Sequence, residues 1–272
     1  MNHIYIDGSY FIFYRIFALC IWWKNAHKNE PLTDPSTNIE FVDKYKKVFI
    51  DKVKEIPKKL GLKKQPNRIF VGRDCTQETI WRNSLFAEYK HGRNDVKNKE
   101  VNISFFFKLT YDEQLFEKAG VEIIYSHENL EADDCIYLAS KKHISHDNTL
   151  KCFIIASDHD YLQLASDMLR IFDLKYKDLT TSKTSYADAY KDLFMKIILG
   201  DKSDNISPVF KNKRFGKTKA ENCYDDKELF NQYLLEDITA NEQYEKNCLL
   251  IDMKNIPIDL VNSFYNKYGM VL

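Results

Sequence analysis

The chain carries no excess of charge: among 272 residues, 40 lysines and arginines balance 40 aspartates and glutamates. No global field draws it to nucleic acid, so any polyanion has to be held by local patches. Its six cysteines (Cys20, Cys75, Cys135, Cys152, Cys223 and Cys248) form no C-x-x-C pair, and no signal peptide precedes them. They read as free thiols of a reducing cytoplasm rather than a disulfide framework. With only 8 glycines and 6 prolines, no repeat and no low-complexity tract, a flexible linker between independent domains is not expected. The apolar run from Tyr10 to Trp23 is broken by Arg15 and too short to span a membrane, so a buried or half-buried helix is expected there and no membrane partner.

What is present is 44% apolar and 14% aromatic residues, enough for a sizeable core in one or two domains. The chain is organised around Glu131 to Asp160. Glu131-Ala-Asp133-Asp134 opens an apolar helical pattern, and Phe153-Ile-Ile-Ala156 ends in Ser157-Asp158-His159-Asp160. Five carboxylates thus meet at two adjacent element ends, with little positive charge beside them in sequence. Such crowding is costly unless cations fill it. Oxygen donors without a Cys or His cluster favour magnesium or manganese over zinc, which points to a metal-dependent nuclease. Acids in a first turn also suit the helix dipole, but simple capping needs one or two, not three.

Other segments supply companions. His3 to Asp7 reads as a strand ending in an acid, which serves equally as N-cap or ligand. Ile39 to Leu60 reads as an amphipathic helix with a solvated lysine face, stopped at Gly61. Arg68 to Val71 is a second strand, leading to Asp74. Arg82, Tyr89, Lys90 and Arg93 lie in a basic and aromatic cluster suited to a nucleic-acid backbone, with solvated surface as the plain alternative. Residues 94–110 are poorly periodic and read as a mobile lid, 111–119 as helical, and 121–125 and 168–172 as further strands. Strands alternating with helices predict an α/β fold, a mostly parallel twisted sheet covered on both faces. Beyond residue 185, Tyr186 to Leu199 reads as a helix leading to Gly200-Asp201 and Asp204. A basic loop of Lys211, Lys213 and Arg214 follows, then Gly216-Lys217-Thr218-Lys219 and another helix, a helix-turn-helix-like phosphate grip. Gly216-Lys217-Thr218 is no P-loop, lacking the upstream glycine and a preceding strand.

Five acidic blocks in order (Tyr5-Ile-Asp7-Gly8; Asp74 with Trp81-Arg82 and Tyr89-Lys90-x-x-Arg93; Glu131-Ala-Asp133-Asp134; Ser157-Asp158-x-Asp160; Gly200-Asp201-x-x-Asp204-Asn205-Ile206) resemble the 5′-nuclease, flap endonuclease-like superfamily. Within it the chain looks most like the T-even-phage type of ribonuclease H, including Tyr244-Glu-Lys-Asn247 in the tail. The resemblance implies a magnesium-dependent 5′-to-3′ exonuclease and flap nuclease, with manganese able to substitute. Its substrates would be RNA–DNA hybrid and duplex or flapped DNA, in primer removal during replication, beside a single-strand-binding protein or clamp. Carried over by motif, Asp7, Asp74, Glu131 and Asp133 would hold one ion; Asp158, Asp160, Asp201, Asp134 and Asp204 would hold or orient a second. Lys90 and Arg93 would act at the base of a helical arch at about residues 90–112, while Arg82, Tyr89, Lys211, Lys213, Arg214, Lys217 and Lys219 would contact nucleic acid. An α/β core over 1–184 would carry a helical DNA-binding and packing region over 185–272. Where many relatives bind potassium through Pro-Gly-x-x-Gly-x-Gly, this chain has Ser207-Pro208 and a basic insertion, so no potassium site is expected. The chain also ends earlier than the phage enzymes it resembles.

Two competing readings make different demands. A haloacid-dehalogenase-type phosphatase shares the D-x-D and G-D-x-x-D blocks, but needs the former after its founding strand and leaves Asp7 and Asp74 unexplained. A DNA-binding scaffold without catalysis would bind and not cleave, yet every acidic block here is intact.

Overall fold

The computed structural model describes residues 1–28, 32–91, 101–211 and 215–270. Its centre is β1 (Asn2–Asp7), whose Ile4, Tyr5 and Ile6 are fully buried. Side chains alternate across a strand. Ile4 and Ile6 therefore join the core of α1 (Gly8–Ala26) and α2 (Ile39–Lys59), whereas Tyr5 packs on the opposite face under α5 (Ala132–His146). Such burial on both faces explains why the run His3-Ile-Tyr-Ile is almost continuously apolar.

Five parallel strands line up as β3 (Ile123–Tyr125), β2 (Asn67–Gly72), β1, β4 (Lys151–Ile155) and β5 (Leu169–Phe172). From β1 the chain first builds outward through β2 and β3, then returns to the other side for β4 and β5. The order therefore reverses between β1 and β4, and crevices at such a switch, beyond the carboxyl ends of the strands, are where open sheets hold ligands. Asp7 closes β1 there, and β4 delivers Asp158 and Asp160 beside it.

Local chemistry accounts for the elements flanking this rim. Asn38 caps α2 by accepting from the Phe41 N–H at 2.9 Å, Phe41, Tyr45, Phe49, Val53 and Ile56 form its buried stripe, and Gly61 at φ +77° ends it. The expected lid differs from what is seen. Residues 92–100 lie outside the described residues, and the remainder is a regular helix, α3 (Ile103–Asp112), capped by Asn102. Phe106 packs 4.9 Å from the Tyr45 ring and Thr110 bonds the Tyr45 hydroxyl at 2.9 Å, so this half of the expected arch is anchored to the core. The expected helix over 111–119 is broken at Gln114, φ +55°, before a short α4 (Leu115–Lys118).

The C-terminal helices α6 (Ala189–Leu199), α7 (Lys217–Asp225), α8 (Lys227–Glu236) and α9 (Ile238–Ile251) share an apolar cluster that includes Met195, Ile198, Cys223, Phe230 and Ala240. A seam of Ile80, Tyr89, Ile197, Ile206 and Leu250 joins them to the sheet region. As expected of the tail, α10 (Ile258–Lys267) packs back on the main body through Phe264, and the Tyr268 hydroxyl accepts from the Ser126 N–H at 2.7 Å. No helix among the described residues is long and apolar enough to cross a membrane.

At the opposite end of the sheet, His3 and His143 face each other, Nδ1 to Nδ1 at 3.2 Å, with the Tyr5 hydroxyl 2.6 Å from His143 Nδ1. Burial first, and then mutual repulsion and Arg68, lower the His3 pKa to about 4; burial and Arg68 do the same for His143. Both imidazoles are thus neutral in the fold down to about pH 4, while the unfolded chain takes up their protons near pH 6.5. Stability conferred by the neutral pair is complete above about pH 6.5 and is lost as the pH falls toward 4, by about 3 kcal/mol for two partly wet imidazoles. Urea unfolding at pH 7 and pH 4, compared with a His3→Gln/His143→Gln variant, should show this extra loss in the parent alone.

Candidate metal centre and nucleic-acid groove

Backbone close-packing draws the acids together. A Cβ on Gly72 would lie 2.5 Å from the Ala132 carbonyl, and one on Gly8 would lie 2.7 Å from the Gly72 carbonyl. Only glycine permits the end of β1, the end of β2 and the first turn of α5 to touch in this way. Asp74 then reaches α5, accepting from the Ala132 N–H at 2.8 Å, and also receives the Ser9 hydroxyl. Asp7 is an N-cap: one oxygen caps α1 at the Tyr10 N–H, 2.9 Å, and the other accepts from the buried Tyr161 hydroxyl at 3.1 Å. Burial, and then Asp74 and Asp133, push the Asp7 carboxyl well above the ordinary carboxylate range. That is the physical mark of acids crowded without enough positive charge.

Glu131, Asp133 and Asp134 bring carboxylate oxygens within 4.8 Å of one another, and so do Asp160, Asp201 and Asp204. Each group offers oxygen alone, a donor set that fits a hard divalent ion. Asp133 and Asp134 occupy the first turn of α5, where the dipole eases their charge. Asp201 and Asp204 hang on a one-turn 3-10 segment after Gly200, whose φ of +69° allows the sharp exit from α6. Asn247 on α9 holds this turn, donating to the Ile197 and Ser207 carbonyls at 2.8 and 2.9 Å. Asp158 stands at the edge, half-exposed, and caps the Asp160 N–H at 3.0 Å.

Positive charge is closer than the sequence suggests. Arg82, expected on a nucleic-acid surface, is 2% exposed and pairs with both Asp134 oxygens at 2.8 Å, with Glu131 at 2.9 Å and with the Leu250 carbonyl at 2.8 Å. Trp81 also donates to Asp134, at 2.9 Å, so the oxygens of Asp134, an expected ligand, are engaged by the protein itself. Tyr89, another expected nucleic-acid contact, is buried with its hydroxyl 3.1 Å from Glu131 and 3.3 Å from Asp204, which leaves no ring face for a base. Both were drawn from a basic and aromatic run whose exposure sequence does not encode.

Lys90, by contrast, lies at the centre. Its ammonium bonds Glu131 and stands 3.8 Å from Asp204, linking the two acidic groups. Its backbone is left-handed, φ +54°, and its N–H donates to the Asp204 carbonyl at 3.1 Å. Arg93, Lys213 and Arg214 lie outside the described residues.

Lys196 was missed. From the last turn of α6 it pairs with Asp160, with Asp201 at 2.9 Å and with Asp158 at 3.9 Å. Although burial opposes it, Lys196 holds the Asp201 carboxyl down to about 2. Its place one helical turn before Gly200-Asp201 was the available signal, since a last-turn lysine sits beside whatever follows the helix.

Outside the second acidic group opens a groove of about 600 Å³ lined by Asp158, Lys196, Asp201, Lys202, Tyr186 and Lys217. Lys217 begins α7 with its ammonium 4.8 Å from the Tyr186 ring centre, and Lys211 and Lys219 are exposed nearby in sequence. Uncapped backbone amides and lysines at a helix start suit a phosphate.

Residues 2–191 match the family model of the 5′-3′ exonuclease N-terminal resolvase-like domain. Ribonuclease H of Enterobacteria phage T4 is 25% identical over 212 residues, 72% of this chain and 68% of that protein. DNA polymerase I of Lactococcus lactis subsp. cremoris (strain MG1363) is 27% identical over 156 residues, 54% of this chain, so the chain spans only 17% of the polymerase's length. In fold, a crystal structure of the bacteriophage T5 flap endonuclease with DNA and metal ions superposes with a TM-score of 0.66 at 16% identity, covering 99% of each chain. With the acids at the switch point of its parallel sheet, the chain belongs to the 5′-3′ exonuclease family, through that N-terminal resolvase-like domain.

Proposed function

We infer that this protein is a magnesium-dependent 5′-to-3′ nuclease that removes RNA primers and 5′ ends or flaps from RNA–DNA hybrid and duplex DNA during replication. The observation that carries the reading is the convergence of Asp7, Asp74, Glu131 and Asp133 at one rim and Asp160, Asp201 and Asp204 beside it, bridged by Lys90. Asp7, Asp74, Glu131 and Asp133 would hold one ion, and Asp158, Asp160, Asp201 and Asp204 the other. Divalent ions in such a pair supply an activated water and neutralise charge on the phosphate and leaving oxygen.

The chain's own groups do the rest. Arg82 and Tyr89 fix Glu131 by bonds to one of its oxygens, so the carboxylate is set in place before substrate arrives. Tyr161 orients Asp7, and Asn247 fixes the Asp201–Asp204 turn. Lys90 and Arg93 would bring positive charge to where negative charge develops on the phosphate. Lys196 takes the role of a positioning residue, keeping Asp201 ionised and holding Asp160 and Asp201 in register. Lys202 and Lys217 line the groove in which duplex phosphates would rest, with Lys211 and Lys219 exposed nearby in sequence; Lys213 and Arg214 would add to the same contact. Asp134 orients rather than coordinates, its oxygens being engaged by Arg82 and Trp81.

Cleavage of 5′-labelled hybrid, duplex and flapped substrates in parallel, with magnesium and with EDTA, tests the reading. Cleavage that EDTA abolishes is expected; binding without cleavage would identify a scaffold instead. Magnesium should also raise the Tm of the free protein by several degrees, about 1–3 kcal/mol, because it relieves repulsion present only in the fold. Differential scanning calorimetry showing no shift with millimolar magnesium would oppose a metal centre here.

A further inference from the structure

A second basic cavity lies away from the acids. Between α1, α2 and the loop after β5 is a half-open cavity of about 280 Å³, lined by Arg15, Lys52, Glu55, Lys59, Lys175 and Tyr176 among others. Arg15 sits eight residues along α1 from Asp7, about 12 Å at 1.5 Å per residue, so the cavity is distinct from the metal centre.

Its charge is one-sided. Four cations face one carboxylate, and that carboxylate, Glu55, is engaged by Lys52 at 2.8 Å. In a chain of zero net charge this is a local field for an anion. Arg15 is the telling residue. Its Nε is buried without a hydrogen-bond partner, and its guanidinium stacks 4.5 Å from the Tyr14 ring centre and 5.3 Å from that of Phe11. Buried donors left unpaired are costly, by about 1–3 kcal/mol, and the two rings hold the guanidinium at the cavity wall. Tyr176 also lines the cavity, in a left-handed conformation, φ +61°, on the loop that Asp173 braces by accepting from the Lys175 and Lys177 N–H groups, each at 2.8 Å.

We propose that this cavity binds a single nucleotide unit, its phosphate held by Arg15 with Lys59 and Lys175 and its ring set against the tyrosines. A guanidinium fork with lysines selects phosphate, and the tyrosine rings add a stacking surface for a base. The volume, at the small end of ligand pockets, fits one nucleotide and not a length of strand. That the phosphate belongs to a nucleotide rests on the nuclease reading; the anion site itself does not. The unit is either a released mononucleotide or the terminal nucleotide of a strand.

Calorimetric titration of the full chain in EDTA, which silences the metal centre, separates these sources. The probes are deoxyadenosine monophosphate, inorganic phosphate and a 5′-phosphorylated tetranucleotide. One-to-one binding of the mononucleotide or of the tetranucleotide is expected, weakened at least tenfold by Arg15→Gln and at least threefold by Lys59→Gln, but unchanged by Lys118→Gln at an exposed position outside both the cavity and the groove. Because Lys59 is exposed, its variant keeps the test valid should Arg15→Gln fold poorly. Whichever of the two binds identifies the source. No binding, binding insensitive to both variants, or phosphate binding as tightly as the nucleotides would overturn the proposal. Magnesium-dependent cleavage by the parent is scored separately: binding through Arg15 without cleavage would leave the pocket standing and remove the nuclease reading, and the reverse would do the opposite.

Discussion

Asp133→Asn should reduce magnesium-dependent cleavage by about a thousandfold, roughly 4 kcal/mol of transition-state stabilisation, while making the metal-free protein about 1 kcal/mol more stable. The two effects have one cause. Asp133 adds negative charge beside Asp7 and Glu131, raising the cost of ionising both, and a divalent ion repays that cost when bound. Asparagine keeps the oxygen that accepts from the Asp134 N–H at 2.8 Å, so the first turn of α5 stays capped. Adding magnesium should narrow the stability difference, since only the parent gains the full benefit of the ion. Urea unfolding with and without magnesium, beside a cleavage assay on 5′-labelled hybrid, checks all three expectations. Parent-level cleavage, or a less stable metal-free variant, would show that Asp133 stands outside the metal centre.

Arg82→Ala should cost about 3–5 kcal/mol of folding stability, because it leaves Asp134 buried without its counter-charge and leaves Glu131 with Lys90 alone. The same change frees the Leu250 carbonyl, loosening α9 from the segment that carries Tyr89 and Lys90. Combining it with Asp134→Ala should recover a large part of the loss, since a buried pair removed together strands less charge than either half alone. Cleavage should not recover with stability, because Glu131 remains without one of the donors that fix its carboxylate. Denaturation midpoints and kcat for the single and double variants separate the two effects; cleavage that recovers in step with stability would reduce Arg82 to a structural role.

Much of the site was legible because its chemistry is carried by residue type and local position. An acid at the end of an apolar strand, or in the first turn of a helix, lies at the rim of a parallel sheet wherever the strands are placed, so Asp7, Asp74, Glu131, Asp133, Asp158 and Asp160 could be grouped from periodicity. The lysine-faced α2 was equally plain, since its apolar stripe recurs at helical spacing. Residues 103–110 were misread because three consecutive phenylalanines obscure the period: Phe106 faces the core and Phe105 and Phe107 flank it.

By itself, then, the order of residues determined that a parallel α/β sheet would form and that carboxylates would collect along one edge of it, because strand and helix periodicity and the residue at each element's end are local properties. Only the tertiary structure decided which cations answer those carboxylates. Arg82 meets Asp134 across 52 residues and Lys90 meets Asp204 across more than a hundred, and ion pairing depends on distance in space, which no local pattern records.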